Sequence, residues 1–294
     1  VKSFILFFFV LSSCGDRPSE SALNTVSSSS SNWVLDQSQG QVKLVSPADD
    51  ASSFFGQAVA IGDYNNDGKN NLAIGAPSGD YSVQGSAGQS DTGGVFIYNS
   101  TVDASNATVA DILVSANTNT NNSFGNSLYT YDFNRDGIDD LIVGAPYEDR
   151  VGTNSGSLYI FYGSSEGLNS SPSQIIDHPG GVANIGFRGA IYGDTYYDTT
   201  YPDLFIGSYL DDIGGGDAGN IWIYKGDSSG VNSIPISTGT FDPPYYDHAE
   251  WLGHSILTFD FNGDGIKDFF AGAPVDDELG YNSGSIYIKL NKLP

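Results

Sequence analysis

Residues 131–146 read YDFNRDGIDDLIVGAP. Five acid or amide side chains, Asp132, Asn134, Asp136, Asp139 and Asp140, crowd into nine residues before an apolar run. Like charges this close repel, and Asp and Asn form strands and helices poorly. The stretch therefore needs something that offsets the repulsion. Oxygens at positions one, three and five, a glycine that lets the backbone bend, a carbonyl at seven and a carboxylate at nine suit Ca²⁺, which takes six to eight hard oxygen ligands.

The stretch recurs. DYNNDGKNNLAIGAP fills 63–77, DFNGDGIKDFFAGAP fills 260–274, and a looser cousin, DTYYDTTYPDLFIGSY, fills 194–209. The ligands expected in copy one are Asp63, Asn65, Asp67, the Lys69 carbonyl and Asn71. In copy two they are Asp132, Asn134, Asp136, the Ile138 carbonyl and Asp140. Copy four offers Asp260, Asn262, Asp264, the Ile266 carbonyl and Asp268. Copy three keeps Asp194, Asp198 and Asp203, but Tyr196 stands at the third position and the spacing is stretched. Three or four structural Ca²⁺ ions follow from this pattern. An EF-hand is excluded: position twelve is Ile74, Val143 or Ala271 rather than Glu, and strands flank the loop. Mg²⁺ suits the loop less well, because it keeps several waters and demands octahedral geometry. Metal-free Asx turns are the plainer alternative.

The elements that position these loops repeat with them. The first aspartates are 69, 62 and 66 residues apart. Each copy opens on an apolar residue and Gly: Phe55-Gly56, Phe124-Gly125, Ile185-Gly186 and Leu252-Gly253. A short strand precedes the acidic loop, and an apolar strand such as DLIVGAP follows it. A variable loop, a third strand such as GSLYIFYG and a weaker fourth segment complete the unit, with SIPIS (233–237) as the fourth of copy three. Four-stranded units repeated radially describe a β-propeller. The fold class expected is all-β, with four four-stranded blades over residues 41–294.

The Phe-Gly start, the Asp/Asn loop and the Gly-Ala-Pro end resemble FG-GAP repeats, which build the β-propeller of integrin α subunits and of many bacterial surface proteins. The resemblance covers about residues 41–290. Copy three departs from it, lacking the loop Gly and replacing Ala-Pro by Ser208-Tyr209. The fold carries over well and function less so, because propellers host many activities. LVSPADDASSFFG (44–56) aligns without a gap on LVSANTNTNNSFG (113–125). Residues 42–46 therefore read as a fourth strand that pairs beside 285–290 and closes four blades in a monomer. Integrin members have seven blades, so half of an eight-bladed dimer is the alternative.

Net charge is −24. That excludes a nucleic-acid partner, which needs a basic surface. Three bound Ca²⁺ would bring the charge to about −18, relieving it where it is densest. VKSFILFFFVLSSC has the lysine, short apolar run and small residues of a secretory signal peptide (1–13). Its end resembles a bacterial lipobox, which implies a lipid on Cys14, the sole cysteine, and a membrane partner through that lipid. Residues 14–40 read as the lipidated cysteine and a Ser-rich tether. Gly15 stands where an inner-membrane-retention Asp would, so the outer membrane or cell surface is the location expected.

Opposite the acidic loops, the variable loops carry recurrent acid pairs: Glu148-Asp149, Asp211-Asp212 and Asp276-Asp277. These could hold a cation or polar ligand, or be solvated turn residues. Tyr245 and Tyr246, in FDPPYYDHAEW, could stack on a sugar; Trp251 reads as structural. No nucleophile motif or phosphate loop is present. The function expected is a surface binding or adhesion module for a protein or glycan. The alternative is a carbohydrate-active lyase or hydrolase.

Carboxylate count ranks the sites. Copies two and four offer three each and copy one offers two, so two and four should bind Ca²⁺ most tightly, then one, with three weakest. In calorimetric titration Asp136→Ala should remove a tight site and Asp67→Ala a weaker one. Each site kept at a hundredfold excess of Ca²⁺ over its Kd stabilises by about 2.7 kcal/mol, so chelator should lower Tm. Loss of the tightest site in Asp67→Ala alone would overturn the order.

Overall fold

The computed structural model describes residues 33–36, 41–47, 52–81, 90–99, 109–117, 121–179, 191–194, 200–211, 218–236 and 250–290. All regular structure in these residues is β. An N-terminal ribbon pairs β1 (Trp33–Asp36) with β2 (Gln41–Leu44). Blade one follows as β3 (Val59–Gly62), β4 (Asn71–Ala76), β5 (Gly94–Tyr98) and β6 (Val109–Val114). Blade two is β7 (Ser127–Tyr131), β8 (Asp140–Ala145), β9 (Ser157–Phe161) and β10 (Gln174–Asp177).

Blade three contains β11 (Ile191–Asp194), β12 (Asp203–Ser208) and β13 (Asn220–Tyr224), with a small ribbon of β14 (Gly226–Asp227) and β15 (Gly230–Val231) beyond. Blade four contains β16 (Ser255–Phe259), β17 (Asp268–Ala273) and β18 (Ser285–Lys289). Within each blade the strands pair antiparallel in chain order. Inner strands lie side by side from blade to blade, β3 with β7, β7 with β11 and β11 with β16.

Strands that are apolar on both faces fill the middle of each blade. β8, β9 and β12 are buried along their whole length, as strands sandwiched between neighbours must be. Leu141, Val143, Ala145, Tyr159 and Phe161 face blade one's Ala73, Val95, Ile97 and Leu113. Ile142, Leu158 and Ile160, on the opposite face, meet blade three's Leu204, Ile206 and Tyr224. Phe205, Ile221 and Ile223 then meet Phe269, Ala271 and Ala273 of blade four.

The repeat motif does its work between blades. Phe124 and Leu252 are fully buried, and each donates its N–H to the preceding blade, at Thr92 and Ala218. A Cβ on Gly75 would lie 2.0 Å from the Gly125 carbonyl oxygen, and one on Gly207 would lie 1.8 Å from that of Gly253. The glycine that ends one blade's second strand thus accepts backbone contact from the glycine that opens the next.

One expectation changes, and one is not seen among the described residues. SIPIS is not a strand among the described residues; Ile236 alone donates its N–H to Ile223, at 2.8 Å, and blade three turns instead into the β14–β15 ribbon. β2 takes β1 as its partner, and β18 pairs with β17 only among the described residues. Closure of the ring by the N-terminal strand is therefore not seen.

Gly75→Ala should cost roughly 3 kcal/mol or more, because its methyl meets backbone that cannot yield. Gly167, at φ +94° with open space around it, is the control: Gly167→Ala should cost only about 1–2 kcal/mol of left-handed strain. Equal losses in urea unfolding would refute backbone contact between blades as the reason for the motif.

Candidate functional site

Each acidic loop joins the first strand of its blade to the second. In copy two the Asp132 carboxylate accepts the N–H groups of Asp136 (3.2 Å) and Gly137 (3.0 Å). Asn134 Oδ1 also accepts from Asp136 N–H, and Asp136 Oδ1 accepts from Ile138 N–H. Copy four repeats the pattern with Asp260, Asn262, Asp264, Gly265 and Ile266. Copy one does so with Asp63, Asp67, Gly68 and Lys69. Three segments of different sequence thus fold the same bend, each with its glycine at positive φ.

The structure separates position nine from the rest. Asp140 is fully buried, and its carboxylate accepts Phe133 N–H at 2.8 Å and Gly163 N–H at 3.0 Å. Asp268 accepts Phe261 N–H, Asn71 accepts Tyr64 N–H, and Asp203 accepts Gly226 N–H. The ninth side chain thus secures its own blade. Burial first, then the charges of Asp132 and Asp136, push the Asp140 carboxyl up to about 7.

No group of three His, Cys, Asp or Glu side chains stands close enough to hold a metal among the described residues. The oxygens of positions one, three and five still form a hard donor set on an exposed bend. In copy one Asn65 Oδ1, at the third position, is buried without a hydrogen-bond partner. An orphaned buried oxygen at an expected ligand position fits a hard cation.

Copy three is built differently. Asp194 is buried and accepts from Thr258 Oγ1 and Lys267 Nζ of blade four. A lysine ammonium faces the first aspartate of this copy. Asp198 lies outside the described residues. Lys267 occupies position eight of copy four, and its counterpart Asp139 in copy two accepts Asp63 N–H of blade one at 2.8 Å. Position eight therefore joins neighbouring loops, a role the sequence analysis missed. Its signal was faint, because Asn70, Asp139 and Lys267 share no charge.

The acid pairs are corrected in part. Glu148, Asp211 and Asp276 are buried, not displayed. Glu148 accepts from Ser115 Oγ and the Tyr159 hydroxyl. Asp211 accepts from Trp222 Nε1 at 3.0 Å and stands 3.3 Å from His178 Nε2. Asp276 accepts from Ser285 Oγ and Glu278 N–H. Each variable loop is thereby tethered to its blade. An aromatic stands eleven residues after each acid, Tyr159, Trp222 and Tyr287, and this spacing was a legible signal. Asp149 is exposed and Asp277 half-buried, whereas Asp212, Tyr245, Tyr246 and Cys14 lie outside the described residues. Trp251 is half-buried, its ring 5.4 Å from that of Tyr209.

Beside the second acidic loop, a cleft of about 540 Å³ opens between blades one and two. Ile61, Thr130 and Tyr131 form its apolar side, and Asp132, Arg135 and Asp139 its charged side. It offers a ligand both signs of charge and an aromatic ring.

Three segments of the chain, 55–98, 124–161 and 252–288, match the FG-GAP repeat family. The chain is 35% identical to human integrin alpha-IIb over 164 residues, 54% of this chain and 15% of that protein. It is 33% identical to mouse integrin alpha-3 over 191 residues, 62% of this chain and 17% of that protein. Mouse integrin alpha-8 matches at 32% over 162 residues, again 54% and 15%. The chain thus spans less than a fifth of the length of these relatives.

Burial pushes the Glu148 carboxyl above the ordinary carboxylate range, against the opposing pull of its Tyr159 and Ser115 hydrogen bonds. A carboxyl whose folded pKa is raised binds its proton more tightly when folded. Its contribution is full at low pH and falls as pH rises from the unfolded value through the folded one. Glu148→Gln should flatten that part of the Tm-against-pH curve and gain relative to wild type as pH rises. An unchanged slope in paired melts from pH 4 to 8 would refute the assignment.

Proposed function

From the premise that this chain carries an integrin-α-like FG-GAP repeat domain, we propose that it is a calcium-stiffened binding module for a protein or glycan, exported and held at a membrane by lipid on Cys14. Asp63, Asn65, Asp67 and the Lys69 carbonyl would hold one ion. Asp132, Asn134, Asp136 and the Ile138 carbonyl would hold a second, and Asp260, Asn262, Asp264 and the Ile266 carbonyl a third. The bound ion supplies positive charge that offsets the acids of the bend. Asp140 and Asp268 brace the bend from within through their backbone hydrogen bonds. Such sites stiffen loops rather than grip a substrate.

The observation that carries the binding role is the cleft beside the second loop. Its floor is set by two blades locked together: Tyr64 and Thr130 share a hydroxyl hydrogen bond of 2.7 Å, and Asp139 bonds back to blade one. Tyr131 and Arg135 offer a polar ligand an aromatic ring and a positive charge in this cleft. The chain's anchoring is inferred from its N-terminal residues; among the described residues no helix is long and apolar enough to cross a membrane.

The test is a combined glycan and protein-ligand array, read with Ca²⁺ and with chelator, and followed by a product assay on every bound glycan. Binding that falls at least tenfold in Tyr131→Ala or Arg135→Ala, with no product formed, is the expected result. Product formation would establish the lyase or hydrolase instead.

A further inference from the structure

Position eight of the second acidic loop meets position one of the first. Asp63 donates its N–H to Asp139 Oδ2 at 2.8 Å, and Asp139 donates its own N–H back to the Asp63 carbonyl at 3.3 Å. Both residues are half-buried at the seam between blades one and two. The turn after β9 presses on the same seam. Ser164 donates its N–H to the Tyr64 carbonyl at 3.2 Å, and Gly163 donates to the Asp140 carboxylate at 3.0 Å. A Cβ on Gly163 would lie 2.3 Å from the Asp139 carbonyl oxygen and 3.2 Å from that of Tyr64. Loops one and two are therefore joined into one hydrogen-bonded body.

Other neighbouring loops are not joined in this way. In copy three the residue before Asp203 is Pro202. Proline has no N–H and no side-chain acceptor, so neither bond can form toward Asp132 of copy two. Loop four turns to a different partner: its position-eight Lys267 engages Asp194 of copy three, and its inner strand β16 lies beside β11.

We propose that copies one and two take up Ca²⁺ cooperatively through the Asp63–Asp139 link, while copy four binds independently of them. The inference rests on the calcium reading above and concerns how those sites communicate. Asp63 is the first ligand expected in copy one, and Asp139 directly follows Ile138, whose carbonyl is a ligand expected in copy two. An ion at copy two fixes the backbone at Ile138, and so holds the Asp139 carboxylate where it accepts from Asp63. An ion at copy one fixes Asp63, and so presents the N–H that Asp139 takes. Ordering completed at one site need not be repeated at the other, which is positive coupling without a change of shape. The negative charge of Asp139 also stands between the two loops. Repulsion between the ions opposes this, but salt at about 0.15 M screens charges beyond roughly 8 Å. By linkage each ion raises the other's affinity by the same factor, about fivefold or more.

Calorimetric titration of the full chain with Ca²⁺ tests the coupling. Asp264→Ala leaves copies one and two, and should not alter their affinities. In that background the product of the two association constants should exceed the product of the isolated ones, measured with Asp136→Ala or Asp67→Ala added, by about fivefold or more. Asp139→Ala should bring this ratio to one with the far-ultraviolet spectrum unchanged. Asp139→Asn keeps an oxygen for the Asp63 N–H without the charge, and should retain most of the ratio. With chelator present, hydrogen exchange at the Asp63 amide should quicken in Asp139→Ala, which reads the link with no ion bound. A ratio of one in the Asp264→Ala protein, or a ratio that survives Asp139→Ala, would overturn the coupling and leave the calcium reading standing. A ratio of one in Asp139→Asn would overturn the hydrogen bond as its carrier. No bound Ca²⁺ on equilibrium dialysis of the parent would overturn the calcium reading as well.

Discussion

A carbonyl oxygen of one blade sits where a side chain of the preceding blade would begin. Gly75 against Gly125 and Gly207 against Gly253 allow the two backbones to touch, and no other residue leaves that space. The apolar residue before each opening glycine then lands in the crevice, as Phe124 and Leu252 do. From this contact follow the blade spacing, the depth to which Leu141, Val143 and their neighbours are buried, and the alignment of the inner strands. The acidic loops are carried at the ends of those strands, so their mutual position is a consequence of glycine packing.

Two populations of acid meet opposite fates in one blade. Those at positions one and five of copies one, two and four stay near solvent and cap the N–H groups of their own bend. Those at position nine, and Glu148, Asp211 and Asp276 of the later variable loops, are buried and accept hydrogen bonds, from Phe133 and Gly163 at Asp140 and from Tyr159 and Ser115 at Glu148. Burial penalises charge, and the raised pKa of both groups records it. A net charge of −24 is therefore an uneven quantity, concentrated on bends where a cation can reach it.

Blade three shows how the pattern bends without breaking. It lacks the loop glycine and the regular spacing, and it recruits Lys267 and Thr258 from blade four to face Asp194. A neighbour's ammonium does there what a counterion is asked to do elsewhere. Among the described residues the same region shows three strands and a short ribbon, Gly226–Asp227 with Gly230–Val231, ahead of the segment where a fourth strand was expected.

The repeat, the strand order and the place of each acidic loop were legible in the chain, because glycine at a fixed distance from an aspartate ladder has few structural uses. Apolar runs on both faces likewise announced strands stacked between sheets. Tertiary structure alone decided which acids turn inward. Asp139 and Asp140 are adjacent and chemically identical, yet one reaches across to Asp63 and the other is sealed inside its own blade. Strand alternation sends neighbouring side chains to opposite faces, and only the packed neighbour determines what each face meets. The partner of Gln41–Leu44 was equally hidden: the repeat alignment pointed to residues 285–290, whereas Trp33–Asp36 is the strand that pairs with it among the described residues. Sequence specifies the edge, whereas the chain's path in space selects which strand fills it.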